Sequence, residues 1–171
     1  MKKFIISLCI IGSIIFISKD KIVIPKEALR IRIIASSNEK KDQDIKKEVK
    51  NNIESNIYYL LKDVDNVEDA RNIIEDNLDD IDNRVNQVLK KYHENYKLNY
   101  GYNYFPAKEY KGIKYDEGLY ESLVVTIGEG KGDNWWCVMF PPFCLMEAEE
   151  NSTSEIEYRL MVKDLINKYF K

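Results

Sequence analysis

The sequence predicts an α+β fold: an antiparallel sheet with two long helices and a C-terminal helix packed on it, preceded by an N-terminal export or membrane segment. Three observations support this fold class. Apolar and polar residues alternate around residue 30 and again between residues 97 and 140, which is typical of strands. Between these regions and at the C-terminus, apolar residues recur at helical spacing. Strands that follow one another in sequence favour antiparallel pairing with helices on one face.

The N-terminal segment has the composition of an export signal. Lys2 and Lys3 precede a run of apolar or small residues from Phe4 to Ile17. A helix of this length spans about 21 Å, which is shorter than the roughly 30 Å hydrocarbon core of a membrane. No A-x-A cleavage pattern follows, so residues 1–18 are predicted to be either a signal peptide or a signal anchor. Residues 24–171 are then a single exported domain.

The first half of this domain reads as a strand followed by two helices. ALRIRIIAS, residues 28–36, alternates and predicts a strand with Arg30 and Arg32 on the face opposite its aliphatic residues. Cap residues follow, and helical spacing then continues to about Leu61. A second helix of about 30 residues is predicted from near Asp65 or Asn66 to Asn95. At this length it is either exposed at one end or broken near His93.

The second half reads as strands closed by a helix. Alternation from Leu98 to Tyr104 predicts a strand that ends at Pro106. ESLVVTI and WWCVMF predict two further strands, joined by the glycine-rich segment GEGKG at residues 128–132 in a hairpin. Ser154 and Glu157 have capping-box spacing and begin the closing helix.

Charge and motifs exclude several classes of function. The net charge of −3 implies no general attraction to nucleic acid. GEGKG is not a phosphate-binding loop, because Lys131 is followed by Gly132 rather than serine or threonine, and the segment leads into a strand. The single histidine and the lack of a G-x-S-x-G elbow leave no metal or nucleophile constellation. We therefore expect neither enzyme activity, nor a metal, nor a cofactor.

Two cysteines remain beyond the export segment, Cys137 and Cys144. An even pair in an exported chain favours a disulfide. The alternatives are a two-thiol metal site, for which further ligands are lacking, and two buried thiols.

The adjacent tryptophans, Trp135 and Trp136, are the remaining signal. On a strand they point to opposite faces, so one enters the core while the other is covered by a helix, by the loop or by a partner. Tryptophan is enriched at interface hot spots, although cover of both side chains within the domain is an equally good interpretation.

The same residues carry a family resemblance. TIGEGKGDNWWCVMFPPFC, residues 126–144, resembles the signature of the stage II sporulation protein R family, and IPKEALRIRIIASSN, residues 24–38, resembles that family's N-terminal segment. The similarity extends over about residues 24 to 145. The sequence ASSN replaces the more usual ANSD from Ala35 to Asn38, which affects only a helix cap.

The resemblance implies an intercellular signal of endospore formation, made in the forespore and exported into the space between the forespore and mother-cell membranes. There it is expected to activate, by binding, a membrane-embedded aspartic protease that processes the mother-cell pro-sigma factor. Residues 1–18 contact the membrane if they are not cleaved. No active site is carried over, so the predicted partner-binding residues come from the motif itself: Glu129, Lys131, Asn134, Trp135 and Trp136.

The alternative interpretation is an envelope-associated glycan-binding module or a cell-wall hydrolase. Such a protein uses the alternating tyrosines and the acidic residues on glycan. Assays of sigma-factor processing and of glycan binding distinguish the two functions.

Overall fold

The structure, a computed structural model, describes residues 22–143 and 155–170. Within them the predicted α+β class is confirmed. The helices are α1 (Lys40–Leu61), α2 (Val67–Asp76), α3 (Leu78–Leu89) and α4 (Glu155–Tyr169). The strands are β1 (Ile22–Val23), β2 (Leu29–Ile34), β3 (Tyr96–Phe105), β4 (Lys108–Tyr110), β5 (Ile113–Tyr115), β6 (Gly118–Ile127) and β7 (Asn134–Phe140).

The main sheet has four strands in the order β3-β6-β2-β7 and is mixed rather than purely antiparallel. β3 pairs with β6, and β2 pairs with β7, in antiparallel fashion, whereas β2 and β6 run parallel. Parallel neighbours need a long crossover connection, and here it contains α1, α2, α3, β3, β4 and β5. The sequence-based expectation of an antiparallel sheet missed this pairing because it joins strands that are far apart in the chain.

The predicted hairpin at GEGKG is wrong for the same reason. β6 and β7 are consecutive in sequence, but β2 lies between them in the sheet. Residues 128–133, here called the crossing loop, therefore pass over the end of β2 instead of forming a tight turn.

The second predicted helix is two helices, α2 and α3, separated at Asn77. The Asn77 side-chain amide donates a hydrogen bond to the carbonyl oxygen of Ile73 (2.8 Å), and the backbone there leaves helical geometry (φ −109°, ψ 11°). Asparagine competes with the helical backbone in this way, although it is a weaker breaker than proline. Of the two alternatives for its far end, the structure has the break near His93. This residue adopts a left-handed conformation (φ 57°) after a 3₁₀ turn at Lys90–Tyr92.

Two buried clusters divide the domain. The first core lies between α1, α2 and α3 and one face of the main sheet, and includes Ile31, Ile53, Val85 and Val125. The second core joins the small sheet, ordered β1-β5-β4, to α4, to Phe143 and to the opposite face of β7 at Val138. α1–α3 therefore cover one face of the main sheet, and α4 packs on the other side of β7.

No helix within residues 22–143 or 155–170 is both long enough and apolar enough to cross a membrane. The predicted export segment, residues 1–18, lies outside the described residues.

Candidate functional site

The crossing loop is tied to the segment that follows β2. The backbone N–H groups of Lys131 and Gly132 donate to the carbonyl oxygens of Ser36 (3.1 Å) and Ala35 (2.9 Å). The N–H of Asp133 donates to the Asn38 side-chain oxygen (2.6 Å). These amides are the donors that a phosphate-binding loop keeps for its ligand, so the structure agrees with the sequence in excluding a phosphate site here.

The glycines of the crossing loop allow it to approach the backbone of the segment that follows β2. Gly128 (φ 53°) and Gly130 (φ 64°) are in the left-handed region that glycine tolerates best. Gly132 has no such angle, but a β-carbon there would lie 2.2 Å from the backbone oxygen of Ser37. Any larger residue must therefore push the crossing loop away from β2.

Three of the five predicted partner-binding residues are exposed to solvent on this loop and at the start of β7. Glu129, Lys131 and Asn134 are exposed. The Lys131 ammonium forms an ion pair with the Glu129 carboxylate (2.5 Å between Nζ and Oε2). This contact lowers the pKa of Glu129 and raises that of Lys131, but surface ion pairs contribute little to stability. The pair leaves both side chains accessible to a partner.

Trp135 lies on the helix-covered face of β7. Its half-buried ring packs against the first core. The Lys50 ammonium of α1 lies 5.3 Å from the ring centroid and also pairs with Glu54 (2.9 Å). Trp135 is thus the tryptophan that enters the core, with α1 as its cover.

Trp136 lies on the opposite face, as the alternation predicted. It is also half-buried, but it belongs to neither buried cluster. Its ring contacts Phe105 and Tyr115, with centroid separations of 5.4 Å and 6.0 Å, and the Lys108 ammonium lies 4.9 Å from its centroid. The β4–β5 hairpin and the end of β3 therefore give Trp136 a partial cover.

Arg30 is a feature that the sequence did not reveal. It is 1% exposed, and its guanidinium carbon lies 3.3 Å from the ring centroid of Tyr120, between Phe105 and Tyr115. None of its side-chain nitrogens has a hydrogen-bond partner within residues 22–143 and 155–170. Burial lowers the pKa of Arg30 below its usual value. The aromatic residues around Arg30 come from β3, β5 and β6, so this site could be predicted only if the order of the strands were known.

Arg32 follows on the same face and is half-buried. Its Nη1 donates a long hydrogen bond to the carbonyl oxygen of Tyr104 (3.4 Å), and its Nε has no hydrogen-bond partner in the described part of the chain. Burial also lowers its pKa. The two arginines together bring positive charge to one face of the sheet. The guanidinium carbon of Arg32 lies 5.8 Å from the ring centroid of Phe105, which adds a fourth cation–π contact to the three of Arg30.

The predicted disulfide involves one residue inside the described part and one outside it. Cys137 is buried beneath α1, whereas Cys144 lies outside the described residues. We expect the exported protein to contain a Cys137–Cys144 bond, which stabilises the domain by roughly 2–3 kcal/mol. Alkylation before and after reduction, followed by peptide mapping, tests this. Alkylation of both cysteines without reduction would contradict the bond.

Comparison with known proteins agrees with the motif. The family model of stage II sporulation protein R matches residues 25–150. Stage II sporulation protein R of Bacillus subtilis (strain 168) is 31% identical over 158 residues, which cover 86% of this chain and 70% of that protein. No solved structure shows a significant match. The match spans β2, α1–α3 and all later strands, and the chain therefore belongs to the stage II sporulation protein R family.

Proposed function

We propose that this sporulation protein is an exported signal that activates, by binding, a membrane-embedded aspartic protease, which then processes the mother-cell pro-sigma factor. It acts in the space between the forespore and mother-cell membranes, either free or tethered through residues 1–18. Family membership supports the role in sporulation. The protease, the compartment and the mode of activation are the proposed part.

The observation that carries the proposal is the meeting of two distant motif segments at one end of the domain. Residues 35–38 and the crossing loop are joined by backbone hydrogen bonds, although they are far apart in the chain. The Lys46 ammonium adds a hydrogen bond to the carbonyl oxygen of Asp133 (2.9 Å). A loop held from two sides loses little conformational entropy on binding, which favours recognition by a partner.

The exposed groups at this end also suit binding. Glu129, Lys131 and Asn134 offer a charge of each sign and an amide within a short distance along the chain. Charged groups at the rim of an interface fix orientation and association rate more than affinity. Larger side chains nearby must then supply the binding affinity. Trp136 is such a side chain, and it is partly accessible.

Co-expression in a non-sporulating host tests the function directly. The full-length chain is produced together with the candidate protease and its pro-sigma substrate, and substrate cleavage is followed by immunoblot. We expect cleavage only when the chain is present and exported, so a chain lacking residues 1–18 serves as control. Absence of cleavage with all three components would contradict the proposal.

The two tryptophans separate binding from folding. We expect Trp135→Ala to lower the free energy of unfolding by about 3 kcal/mol, because its ring packs on the first core. Trp136→Ala is expected to keep its Tm within a few degrees and to lose activation, since hot-spot tryptophans contribute about 2–4 kcal/mol to binding. Thermal unfolding and substrate cleavage are measured on both variants. Parallel loss of stability and activity in both would make Trp136 a structural residue only.

A second candidate function is favoured by the outer end of β3. Tyr102 and Tyr104 are 72% and 57% exposed on this edge strand, and Leu119 beside them is 64% exposed. Exposed aromatic residues in a row are suited to stacking on sugar rings. Binding of the purified protein to insoluble peptidoglycan, compared with a Tyr102→Ala and Tyr104→Ala double variant, tests the glycan-binding alternative.

A further inference from the structure

One face of the main sheet is only partly covered in the described part of the chain. It lies opposite α1–α3, and strand register places its residues side by side: Arg32 beside Val124 and Trp136, and Thr126 beside Ile34 and Lys97. These side chains are half-buried or exposed, and none belongs to either core. We call this surface the open face; it consists of Arg32, Ile34, Lys97, Asn99, Val124, Thr126 and Trp136.

The open face is positively charged. Arg32 and Lys97 lie on it, and Lys108 borders it above the Trp136 ring. The four strands of the main sheet contain one acidic residue, Glu121, which lies on the helix-covered face and pairs with Arg71. At the rim, the crossing loop has two exposed acidic residues, Glu129, which pairs with Lys131, and Asp133. The surface thus differs in sign from the chain as a whole, whose net charge is −3.

The two arginines have few acceptors among the described residues. Arg32 has an Nε without a hydrogen-bond partner there and one long bond from Nη1. Arg30 lies behind it, is 1% exposed, and has no hydrogen-bond partner in residues 22–143 and 155–170 for any side-chain nitrogen. Buried donors are normally satisfied, and two neighbouring cations repel each other. The Asp116 carboxylate, in the loop between β5 and β6, attracts Arg30, whereas Arg32 pairs with no carboxylate of the described residues. A carboxylate brought to Arg32 forms charge-assisted hydrogen bonds and offsets that repulsion.

We propose that the open face is a docking surface for an acidic segment of the partner protein. Arg32 and Lys97 receive its carboxylates, while Ile34, Val124 and Trp136 receive an apolar side chain between them. The inference rests on the proposed function, which makes the partner the part of the protease that lies outside the membrane. The acidic stretch of residues 63–82 belongs to α2, α3 and the loop before them on the opposite side of the sheet, so repulsion there helps to orient the docking.

A charge-reversal variant with a matched control tests the surface. Lys97→Glu with Asn99→Glu places two carboxylates on the open face at exposed positions. Lys47→Glu with Asn51→Glu makes the same substitutions at exposed positions of α1, on the helix side. In the co-expression assay with the full-length chain, we expect half-maximal cleavage to need about ten times more of the open-face variant, because like charges then oppose docking. The α1 variant is expected to match the unmodified chain, with both variants keeping its Tm within a few degrees.

A photo-crosslinking amino acid adds a readout that does not depend on charge. Placed at Asn99 it is expected to capture the protease, and placed at Asn51 it is not. Capture from Asn51 rather than Asn99, capture of a second copy of this chain, or normal cleavage with the Lys97→Glu and Asn99→Glu variant would each overturn the docking surface. These outcomes all require that the unmodified chain promotes cleavage. Failure of the unmodified chain itself is a different result, which overturns the proposed function and the docking surface with it.

Discussion

Replacement of Glu121 by glutamine is expected to lower the free energy of unfolding by about 3 kcal/mol. The Glu121 carboxylate is buried on the helix-covered face of β6, where it accepts hydrogen bonds from the Nε of Arg71 (2.8 Å and 2.9 Å) and from the Tyr100 hydroxyl (2.9 Å). Glutamine preserves the size of the side chain but removes its charge. Arg71 of α2 is then a half-buried cation without its main counter-ion, which costs more than the loss of an exposed pair.

The pKa shifts agree with a tight local network. The hydrogen bond to Glu121 is the main cause that raises the pKa of Arg71, and burial together with the same carboxylate raises the pKa of Tyr100 above its usual range. Both shifts favour the protonated groups that donate to Glu121. The network joins α2, β3 and β6, so its loss is expected to loosen the packing of α2 on the sheet.

Glu68 provides the matched control. It pairs with the other end of the same arginine through Nη1, but its side chain is 69% exposed. We expect Glu68→Gln to change the free energy of unfolding by less than about 0.5 kcal/mol, since solvent screens exposed pairs. Urea unfolding of the exported protein measures both variants. An equal decrease in the free energy of unfolding for both variants would show that the loss of any partner of Arg71, and not the burial of Glu121, destabilises the domain.

Replacement of Gly132 by alanine is expected to abolish activation and to lower stability by about 2 kcal/mol. The new methyl group lies 2.2 Å from the Ser37 oxygen and 2.9 Å from the Ala35 side chain. The crossing loop must move away, and the hydrogen bonds from Lys131 and Gly132 to Ser36 and Ala35 are then lost or lengthened. The loop and the start of β7 carry the predicted contact residues, so this local displacement affects recognition more than folding.

Glu129→Ala is the control for this prediction because it changes the same loop without a clash. Its side chain is exposed and contacts Lys131, so we expect no measurable change in Tm. Substrate cleavage and thermal unfolding are compared for the two variants. Normal activation of the protease by the Gly132→Ala variant would show that the partner does not recognise the position of the crossing loop.

Features that depend on local periodicity could be predicted from the sequence. The alternation of side chains along a strand places Trp135 and Trp136 on opposite faces whatever the strand pairs with, and the structure confirms this. The spacing of Ile45, Val49, Ile53 and Ile57 likewise fixes the buried face of α1. The motif around the crossing loop was sufficient to find the family, which the comparisons confirm.

The order of the strands in the main sheet could not be predicted in this way. Strand pairing depends on burial and on loop closure across the whole chain, so the insertion of β2 between β6 and β7 leaves no local mark in the sequence. The same insertion brings residues 35–38 under the crossing loop, while the pairing of β3, β6 and β2 encloses Arg30 in aromatic rings. Arg30 and Arg32 lie on the strand face opposite the aliphatic residues, a face that is usually exposed to solvent. The surrounding strands and the β4–β5 hairpin bury Arg30 and leave Arg32 partly exposed.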